Sequence, residues 1–355
     1  MSFEDRELPF DFDLLRDLTE FHGPPGYEDR VRGLVTEALG ERTDEVRTDA
    51  MGNVVGTVEG ESDHSVVVAA HVDEIGFLVR HVTEEGFLQL DAVGGWDPRV
   101  LRAQRVAVHT QQGELTGVIG STPPHTQDEE EGASEQEVHD VHVDMGRDGE
   151  AVSELVSVGD LVTMRQTTEV VGNHVTGKAL DDRVCVFAML EAAERLSAPD
   201  ATVHFAATTQ EEVGLRGAEA LGFDLDPDLA IALDVTVAND VPGFEEGDRV
   251  TRLGEGPAIK LKDGSVITNP KVNRRLRAVA EDAGVDYQLE VLPSGGTDTA
   301  KLQRVGGAKP AGAISVPTRY LHTVTESAHV EDIAATRELL TAFLESEDGS
   351  TDYTP

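Results

Sequence analysis

Two adjacent glutamates, Glu211 and Glu212, are the residues of this sequence best placed for chemistry. They follow an apolar run at 202–208 that is short and rich in β-branched residues, as in a buried strand. Because successive residues of an extended chain point in opposite directions, one carboxylate can bind a metal ion while its neighbour faces substrate or water. That arrangement suits metal-assisted hydrolysis, in which one group holds the ion and another moves protons. The alternative is a pair of solvated acids at a helix start, where negative charge is favoured.

Further candidate ligands stand near the ends of other apolar runs. His71 and Asp234 each end such a run, His322 follows one after a few residues, and Asp181 begins a helical pattern after a Gly-rich turn. Ligands of open α/β sheets bind outside the carboxyl ends of the strands, so we expect these side chains to converge on one edge. Imidazole and carboxylate suit zinc, cobalt or manganese, and one carboxylate can bridge two ions about 3.5–4 Å apart. A single histidine after a strand is more often structural, so the hypothesis depends on the whole set.

The elements that must position these residues alternate between helical and strand patterns. Buried strands are predicted at 65–70, 202–208, 229–233 and 311–316, with a further strand at 287–292, and helices at 11–40 (broken at 23–26), 181–196, 270–283 and 330–344. Between 77 and 165 short β-prone runs alternate with Gly-rich turns and no long helical pattern interrupts them. The sequence therefore predicts an α/β fold, an α/β/α sandwich with a mostly parallel central sheet, plus an inserted small all-β domain.

The same patterns predict the domain boundaries. We expect a discontinuous catalytic domain made of residues 1–76 and 166–355, with the β-rich domain at 77–165. The stretch at 127–140 is acidic and poor in apolar residues, which predicts an exposed loop. The tail at 346–355 is predicted to be disordered.

Charge narrows the classes of partner. The 355 residues include 68 acidic and 29 basic side chains, for a formal net charge of −39. The acids are spread along the whole chain, which indicates adaptation to a salt-rich solvent, since self-repulsion on this scale destabilises a compact fold at low salt. No nucleic-acid partner is expected, because phosphate binding needs a basic face.

Cysteine usage and hydropathy suggest the compartment. The one cysteine, Cys185, excludes an intrachain disulfide, fits a reducing interior, and lies in an apolar helical run where core packing is expected. No signal peptide and no run of 18 apolar residues is visible, so we expect a soluble cytoplasmic protein with no membrane contact.

Competing motifs are incomplete. The stretch GNHVTGK at 172–178 matches most of a phosphate-binding loop but continues with Ala179 where a magnesium-binding Ser or Thr is required. The zinc-peptidase pattern His-Glu-x-x-His and the nucleophile turn Gly-x-Ser-x-Gly are both missing. The stretch SGGTD at 294–298 has no clear base and acid partners for a nucleophilic serine, so a substrate-facing loop or a helix cap is the preferred interpretation.

Taken together, these segments resemble the tetrahedral (TET) aminopeptidases, the metallopeptidase family that includes glutamyl and deblocking aminopeptidases. The matching segments occur in the family's order and span nearly the whole chain: HVDEIGF (71–77), GGWDP (94–98), GVIGSTPPH (117–125), GKALDDR (177–183), TTQEEVG (208–214), LDVT (233–236), SGGTD (294–298) and RYLH (319–322). The resemblance implies a metal-dependent aminopeptidase that removes N-terminal residues from short peptides with a free N-terminus.

The resemblance also implies the role of each site residue. His71 and Asp234 bind one divalent ion, Glu212 and His322 bind the other, and Asp181 bridges both, with a cis bond to Asp182. Glu211 is the general base, and Asp73 orients His71. The cofactors are two divalent metal ions per subunit, Zn²⁺ or Co²⁺. The inserted β domain is the dimerisation domain, and the dimers assemble into a homo-oligomer, a tetrahedral dodecamer.

Two segments depart from the family pattern and two other functions stay open. The stretch after His125 is short and acidic where the family has a more basic one, and TVT follows His322 in place of Ser-Pro-x, although Glu326 keeps its interval. One alternative is a related dinuclear hydrolase, such as a carboxypeptidase, an N-acyl-amino-acid deacylase or a polysaccharide hydrolase. The other is a non-catalytic peptide-binding assembly. Sensitivity to chelators and the use of blocked and unblocked substrates discriminate among them.

Overall fold

This computed structural model describes residues 8–121, 125 and 137–354. The strands of these residues form two separate sheets. In chain order the strands are β1 (Glu45–Thr48), β2 (Val54–Val58), β3 (Ser65–His71), β4 (Gly76–Val82), β5 (Phe87–Val93), β6 (Gln104–Thr110), β7 (Gly113–Ile119), β8 (His142–Asp144), β9 (Leu161–Met164), β10 (Glu169–Val171), β11 (His174–Gly177), β12 (Thr202–Thr208), β13 (Leu229–Val237), β14 (Ala258–Lys262), β15 (Gln288–Val291), β16 (Ala311–Arg319) and β17 (Glu326–His329).

The central sheet has a parallel core with antiparallel flanks. Its strand order in the described residues is β1-β2-β12-β3-β13-β16-β17-β11-β10, and β14 joins β16 to β15. The neighbours β12, β3, β13 and β16 all run parallel to one another. Their carboxyl ends therefore meet at one edge, as the apolar runs of the sequence predict.

Helices cover both faces of this sheet. In chain order the helices are α1 (Phe12–Glu20), α2 (Asp29–Gly40), α3 (Gly149–Ser153), α4 (Leu180–Arg195), α5 (Arg216–Leu225), α6 (Pro270–Ala283), α7 (Thr299–Leu302) and α8 (Val330–Glu345). The short α3 is the exception, because it packs against β4, which is not part of this sheet. Side chains of a strand point alternately to its two faces. In β3, Val66 and Val68 accordingly belong to the core cluster that contains residues of α1, α2, α4, α6 and α8, whereas Val67 and Ala69 belong to the cluster that contains residues of α5 and α7. The predicted α/β/α sandwich with a mostly parallel sheet is confirmed.

The helix boundaries follow local chemistry. Asn269 caps α6 by accepting hydrogen bonds from the backbone N–H groups of Lys271 and Val272, and Pro270 occupies the first turn, where its missing N–H costs nothing. The helix ends at Gly284, whose φ of 68° is the left-handed conformation that glycine adopts without strain. Within the described residues, no helix is both long and apolar enough to cross a membrane.

The second sheet, in the described residues, is a closed antiparallel barrel of β4, β5, β8, β7, β6 and β9. Its own apolar core includes Phe77, Leu88, Val106 and Val162. The small all-β domain expected from the sequence is therefore present as a separate unit with a separate core.

Two expectations about irregular segments have different outcomes. Residues 127–136 of the predicted acidic loop lie outside the described residues, and Val138–Asp140 form a short 3₁₀ helix. The tail differs from the predicted disorder: Tyr353 is only 4 % exposed and its hydroxyl donates to Glu347 at 2.5 Å. The side chain of Asn269 also donates to the backbone oxygen of Tyr353 at 2.9 Å. An aromatic side chain with a hydrogen-bonded hydroxyl can be buried, and here it anchors the tail.

Candidate metal centre

The carboxyl edge of the parallel strands brings the predicted site residues together. His71 is the last residue of β3 and lies beside Thr208, the last residue of β12. Glu211 and Glu212 follow β12 in the turn before α5, and His322 follows β16 after two intervening residues. Asp234 was expected at a strand end, but β13 continues past it to Val237, so it is a strand residue whose side chain lies in the site.

Asp181 lies between the two histidines. Its Oδ1 is 3.2 Å from Nε2 of His71, and its Oδ2 is 3.5 Å from Nε2 of His322. The same nitrogen of His322 is 3.7 Å from Oε1 of Glu212. Donor atoms of His71, Asp181 and Glu212 lie within 4.8 Å of one another, a spacing at which three side chains can share one cation.

A second group contains a residue that sequence reasoning left unassigned. Donor atoms of His71, Asp182 and Asp234 also lie within 4.8 Å of one another. Asp182 is fully buried, its Oδ2 accepts the backbone N–H of His71 at 3.2 Å, and its Oδ1 has no hydrogen-bond partner in the described structure. The bond between Asp181 and Asp182 is cis, as the family resemblance implies. Its position directly after Asp181 was the only signal for Asp182 in the sequence.

Asp73 holds the two glutamates through their backbone. Its Oδ1 accepts the N–H of Glu211 at 3.0 Å and its Oδ2 accepts the N–H of Glu212 at 3.1 Å. The ring Nδ1 of His71 is 3.1 Å from the backbone oxygen of Asp73 and 3.6 Å from its carboxylate. Asp73 therefore contacts the ring that it was predicted to orient and also fixes the turn that carries Glu211 and Glu212, which sequence reasoning missed.

The barrel domain contributes to the orientation of His322. The backbone oxygen of Gly95, in the loop after β5, accepts a hydrogen bond from Nδ1 of His322 at 2.7 Å. A proton on Nδ1 leaves Nε2, which faces Asp181 and Glu212, free to bind a metal ion. The next residue, Trp96, stacks on Phe77 of β4 with 4.9 Å between ring centroids, so the loop is tied to the barrel. The GGWDP segment therefore has a physical role that its sequence alone did not indicate.

Burial makes the carboxyl groups of this site costly to ionise. Burial raises the pKa of Glu212 to about 7, with a further contribution from the Asp181 carboxylate. Burial also raises the pKa of Glu211 and of Asp234 well above the ordinary carboxyl values. A hydrogen bond to Asp181 raises the pKa of His322 to about 10. Buried carboxylates with raised pKa values are stabilised as anions by a nearby cation, so this donor set of imidazole nitrogens and carboxylate oxygens fits divalent metal ions.

An open cavity of about 420 Å³ adjoins these residues. Asp181, Asp234 and His322 form one wall, and the SGGTD segment contributes residues 294–297 to another. Asp298 of that segment is buried, and its Oδ2 accepts a hydrogen bond from the hydroxyl of Thr208 at 2.5 Å. The segment is thus a loop facing the cavity, while Asp298 makes no side-chain cap of α7.

The fold is an α/β/α sandwich with a mostly parallel sheet, and two histidines and several buried carboxylates lie at the carboxyl edge of that sheet. This combination is typical of metallopeptidases. Comparison with known proteins identifies the family. The M42 glutamyl aminopeptidase family matches residues 52–339. The lysyl aminopeptidase of Pyrococcus furiosus is 34 % identical over 97 % of this chain and 99 % of its own length. The chain belongs to the M42 family and is an aminopeptidase, a hydrolase of peptide bonds.

Solved structures agree with this assignment. An aminopeptidase from the archaeon Desulfurococcus kamchatkensis is 39 % identical, with a TM-score of 0.90 over 94 % of both chains. The TET1 peptidase of Pyrococcus horikoshii, which can assemble into a tetrahedron or a large octahedral shell, is 34 % identical, with a TM-score of 0.85 over 94 % of this chain and 99 % of its own. The resemblance to the TET aminopeptidases is confirmed, and nothing in these comparisons supports the carboxypeptidase, deacylase or non-catalytic alternatives. Two other solved structures, 28 % and 30 % identical, are described as an endoglucanase and as a putative peptidase/endoglucanase.

Proposed function

We propose that this aminopeptidase removes N-terminal residues from short peptides by means of two divalent metal ions, Zn²⁺ or Co²⁺, bound at the carboxyl edge of the parallel sheet. The observation that carries the proposal is the position of Asp181, whose two carboxylate oxygens lie 3.2 Å and 3.5 Å from the Nε2 atoms of two different histidines. A carboxylate that faces two imidazoles on separate oxygens is arranged as a bridging ligand.

The ligands divide between two ions. His71 and Asp234 would hold one ion, Glu212 and His322 would hold the other, and Asp181 would be shared between them. The proximity of Asp182 to His71 and Asp234 supports a stabilising role for Asp182 beside the first ion. Bound ions supply Lewis acidity, which lowers the pKa of a water molecule and polarises the carbonyl of the scissile bond.

Glu211 acts as the general base. The Asp73 carboxylate fixes the backbone of Glu211, and burial raises the pKa of the Glu211 side chain. A carboxylate with a raised pKa is a better proton acceptor, so Glu211 takes a proton from the attacking water and returns it to the leaving amine. The cavity beside Asp234 and residues 294–297 accommodates the N-terminal residue of the peptide.

The experiment that tests this assignment is Glu211→Gln. The variant keeps the shape of the side chain and loses the proton acceptor, so we expect kcat to fall by on the order of 10²–10⁴ while metal content stays at the wild-type level. Metal content is measured by elemental analysis of the same preparation used for kinetics. The matched control is Glu219→Gln, an exposed acid on α5 that should change neither quantity. A fully metallated Glu211→Gln protein with wild-type kcat would refute the role of Glu211.

The remaining family expectations concern the whole protein. We propose that residues 77–165, which contain the barrel, form a dimerisation domain inserted into a catalytic domain of residues 1–76 and 166–355. We also propose that the dimers assemble into a tetrahedral dodecamer. The tetrahedron of the Pyrococcus horikoshii relative supports this arrangement. A single buried cysteine supports a reducing cytoplasm, and the net charge of −39 supports one rich in salt.

A further inference from the structure

Glu326, the first residue of β17, is a buried carboxylate with no ligand role in the proposed mechanism. It is 2 % exposed. Its Oε1 accepts the backbone N–H of His322 at 2.8 Å, and its Oε2 accepts the backbone N–H of Asp181 at 3.0 Å. One side chain therefore binds the backbones of two residues whose own side chains lie 3.5 Å apart.

Both of these backbones lack the support of regular secondary structure. His322 has a φ of 58°, the left-handed conformation that residues with a Cβ rarely adopt, and Tyr320 shares it with a φ of 61°. Asp181 departs from helical geometry within the first turn of α4, with a φ of −75° and a ψ of 106°. The N–H groups of Asp181 and His322 thus depend on a side-chain acceptor, and Glu326 serves both.

We infer that Glu326 is a positioning residue, whose two carboxylate oxygens fix Asp181 and His322 relative to each other and thereby set the geometry in which metal is bound. The inference rests on the proposed ligand roles of those two residues. It needs a carboxylate, because the two N–H groups meet different oxygens of the side chain. A glutamine at this position has one acceptor oxygen, and its amide nitrogen opposes the second N–H group.

The chain contains the same arrangement at a distance from the ligands, which provides a matched control. Asp332 on α8 is 1 % exposed. Its Oδ2 accepts the N–H of Gly254 at 2.7 Å, and its Oδ1 accepts the N–H of Gly256 at 2.9 Å. Asp332→Asn removes a buried acceptor of two backbone donors, as Glu326→Gln does, and touches no residue of the proposed metal centre.

The test is a Co²⁺ titration of full-length protein freed of metal by a chelator, in molar KCl, for the wild type, Glu326→Gln and Asp332→Asn. Visible absorption of the bound Co²⁺ reports affinity and ligand geometry, and kinetics on an amino-acyl anilide report kcat and KM. We expect Glu326→Gln to lose 10–100-fold in Co²⁺ affinity and a similar factor in kcat, with an altered Co²⁺ spectrum and little change in KM. Asp332→Asn should lower the thermal midpoint of the metal-free protein yet bind Co²⁺ with the affinity and spectrum of the wild type.

Two outcomes overturn the inference: wild-type Co²⁺ affinity and spectrum in Glu326→Gln, or an equal loss of affinity in both variants, which would make the effect one of general stability. If Glu326→Gln does not fold, residue-level hydrogen exchange on the metal-free wild type decides the matter. The amides of Asp181 and His322 must then be protected, and free exchange of either contradicts the inference. Failure of the wild type itself to bind Co²⁺ would count against the proposed function instead.

Discussion

Buried carboxylates perform two different tasks at this site, and the difference lies in what their oxygens contact. Asp181 and Glu212 face imidazole nitrogens and are available to cations. Asp73, by contrast, directs both oxygens at backbone N–H groups. Hydrogen bonds to charged groups are among the stronger ones in proteins, so such a carboxylate can hold an irregular turn in a single conformation. The proposed ligands and the residues that hold their backbones are thus chemically alike and differ only in geometry.

His22 is a partly buried histidine that should make stability depend on pH. It lies between α1 and α2, and its Nδ1 is 2.9 Å from the hydroxyl of Thr163, which is also 2.9 Å from Nε2 of His109. Burial lowers the pKa of His22 to about 3, and the positive charge of Lys178 adds to the effect. The folded protein therefore keeps this ring neutral, whereas the unfolded chain binds a proton below its ordinary pKa near 6.5. This contribution to stability is present above about pH 6.5 and is lost as the pH falls towards 3.

His22→Gln removes that dependence. As the pH falls from 6.5 towards the pKa of the folded state, the free energy of unfolding of the variant should rise relative to that of the wild type. The rise is up to about 1.4 kcal/mol for each pH unit. At pH 7.5 it should be the less stable of the two, because it replaces a ring bonded to Thr163. Urea midpoints at one protein concentration, at pH 7.5, 6 and 5, measure the difference, with the exposed His139→Gln as the control. A stability difference between His22→Gln and the wild type that stays constant or widens towards pH 5 would be inconsistent with a neutral His22 in the folded protein.

Residue types and their spacing predict which side chains meet at the site but not how the backbone is held. His71, Glu211 and Glu212 could be proposed because they follow apolar runs, and runs of that kind predict neighbouring strands. The contacts of Glu326 and of the Gly95 carbonyl could not be proposed in this way. They join segments far apart in the chain through backbone groups, which every residue type carries.

Among the elements, the strongest sequence patterns gave the most accurate bounds. The predicted helix at 270–283 and strand at 202–208 match α6 and β12, because a proline start and a continuous apolar run are unambiguous signals. By contrast, β10, whose residues are all exposed, and α5, which has glycines at 217 and 222, carry no such pattern and were missed. Hydropathy patterns indicate which residues are buried. Elements that are exposed or contain glycine lack such a pattern, so their structure depends on tertiary context.

The barrel shows why an inserted element can matter to a site that it does not contain. Its short strands were predicted as a unit from their turns, yet its loop after β5 supplies the carbonyl that holds His322. The Cβ of any residue replacing Gly95 would lie 3.2 Å from Nδ1 of His322. A contact of this kind between two domains depends on a close approach of the backbone. In the sequence, the only sign of such an approach is a glycine with no evident reason.

At the scale of the whole molecule, the excess of acidic side chains governs how stability depends on salt. The chain has 68 acidic but only 29 basic side chains, and salt screens the repulsion among the acids over about 3 Å at 1 M. We expect the protein to lose its tertiary structure on dialysis from molar KCl to low salt and to become more resistant to heat as KCl rises. Near-UV circular dichroism and thermal midpoints across a KCl series measure this. Unchanged midpoints down to low salt would contradict adaptation to a salt-rich solvent.

Hydrolysis of a panel of amino-acyl anilides, unblocked and N-acetylated, tests the central claim most directly. It is run in molar KCl with and without chelator, followed by addition of Zn²⁺ or Co²⁺. We predict cleavage of the unblocked set alone, its loss with chelator, and its recovery on addition of metal, and the order of rates gives the side-chain preference. Equal cleavage of acetylated substrates, or cleavage indifferent to chelator in folded protein, would contradict a metal-dependent aminopeptidase.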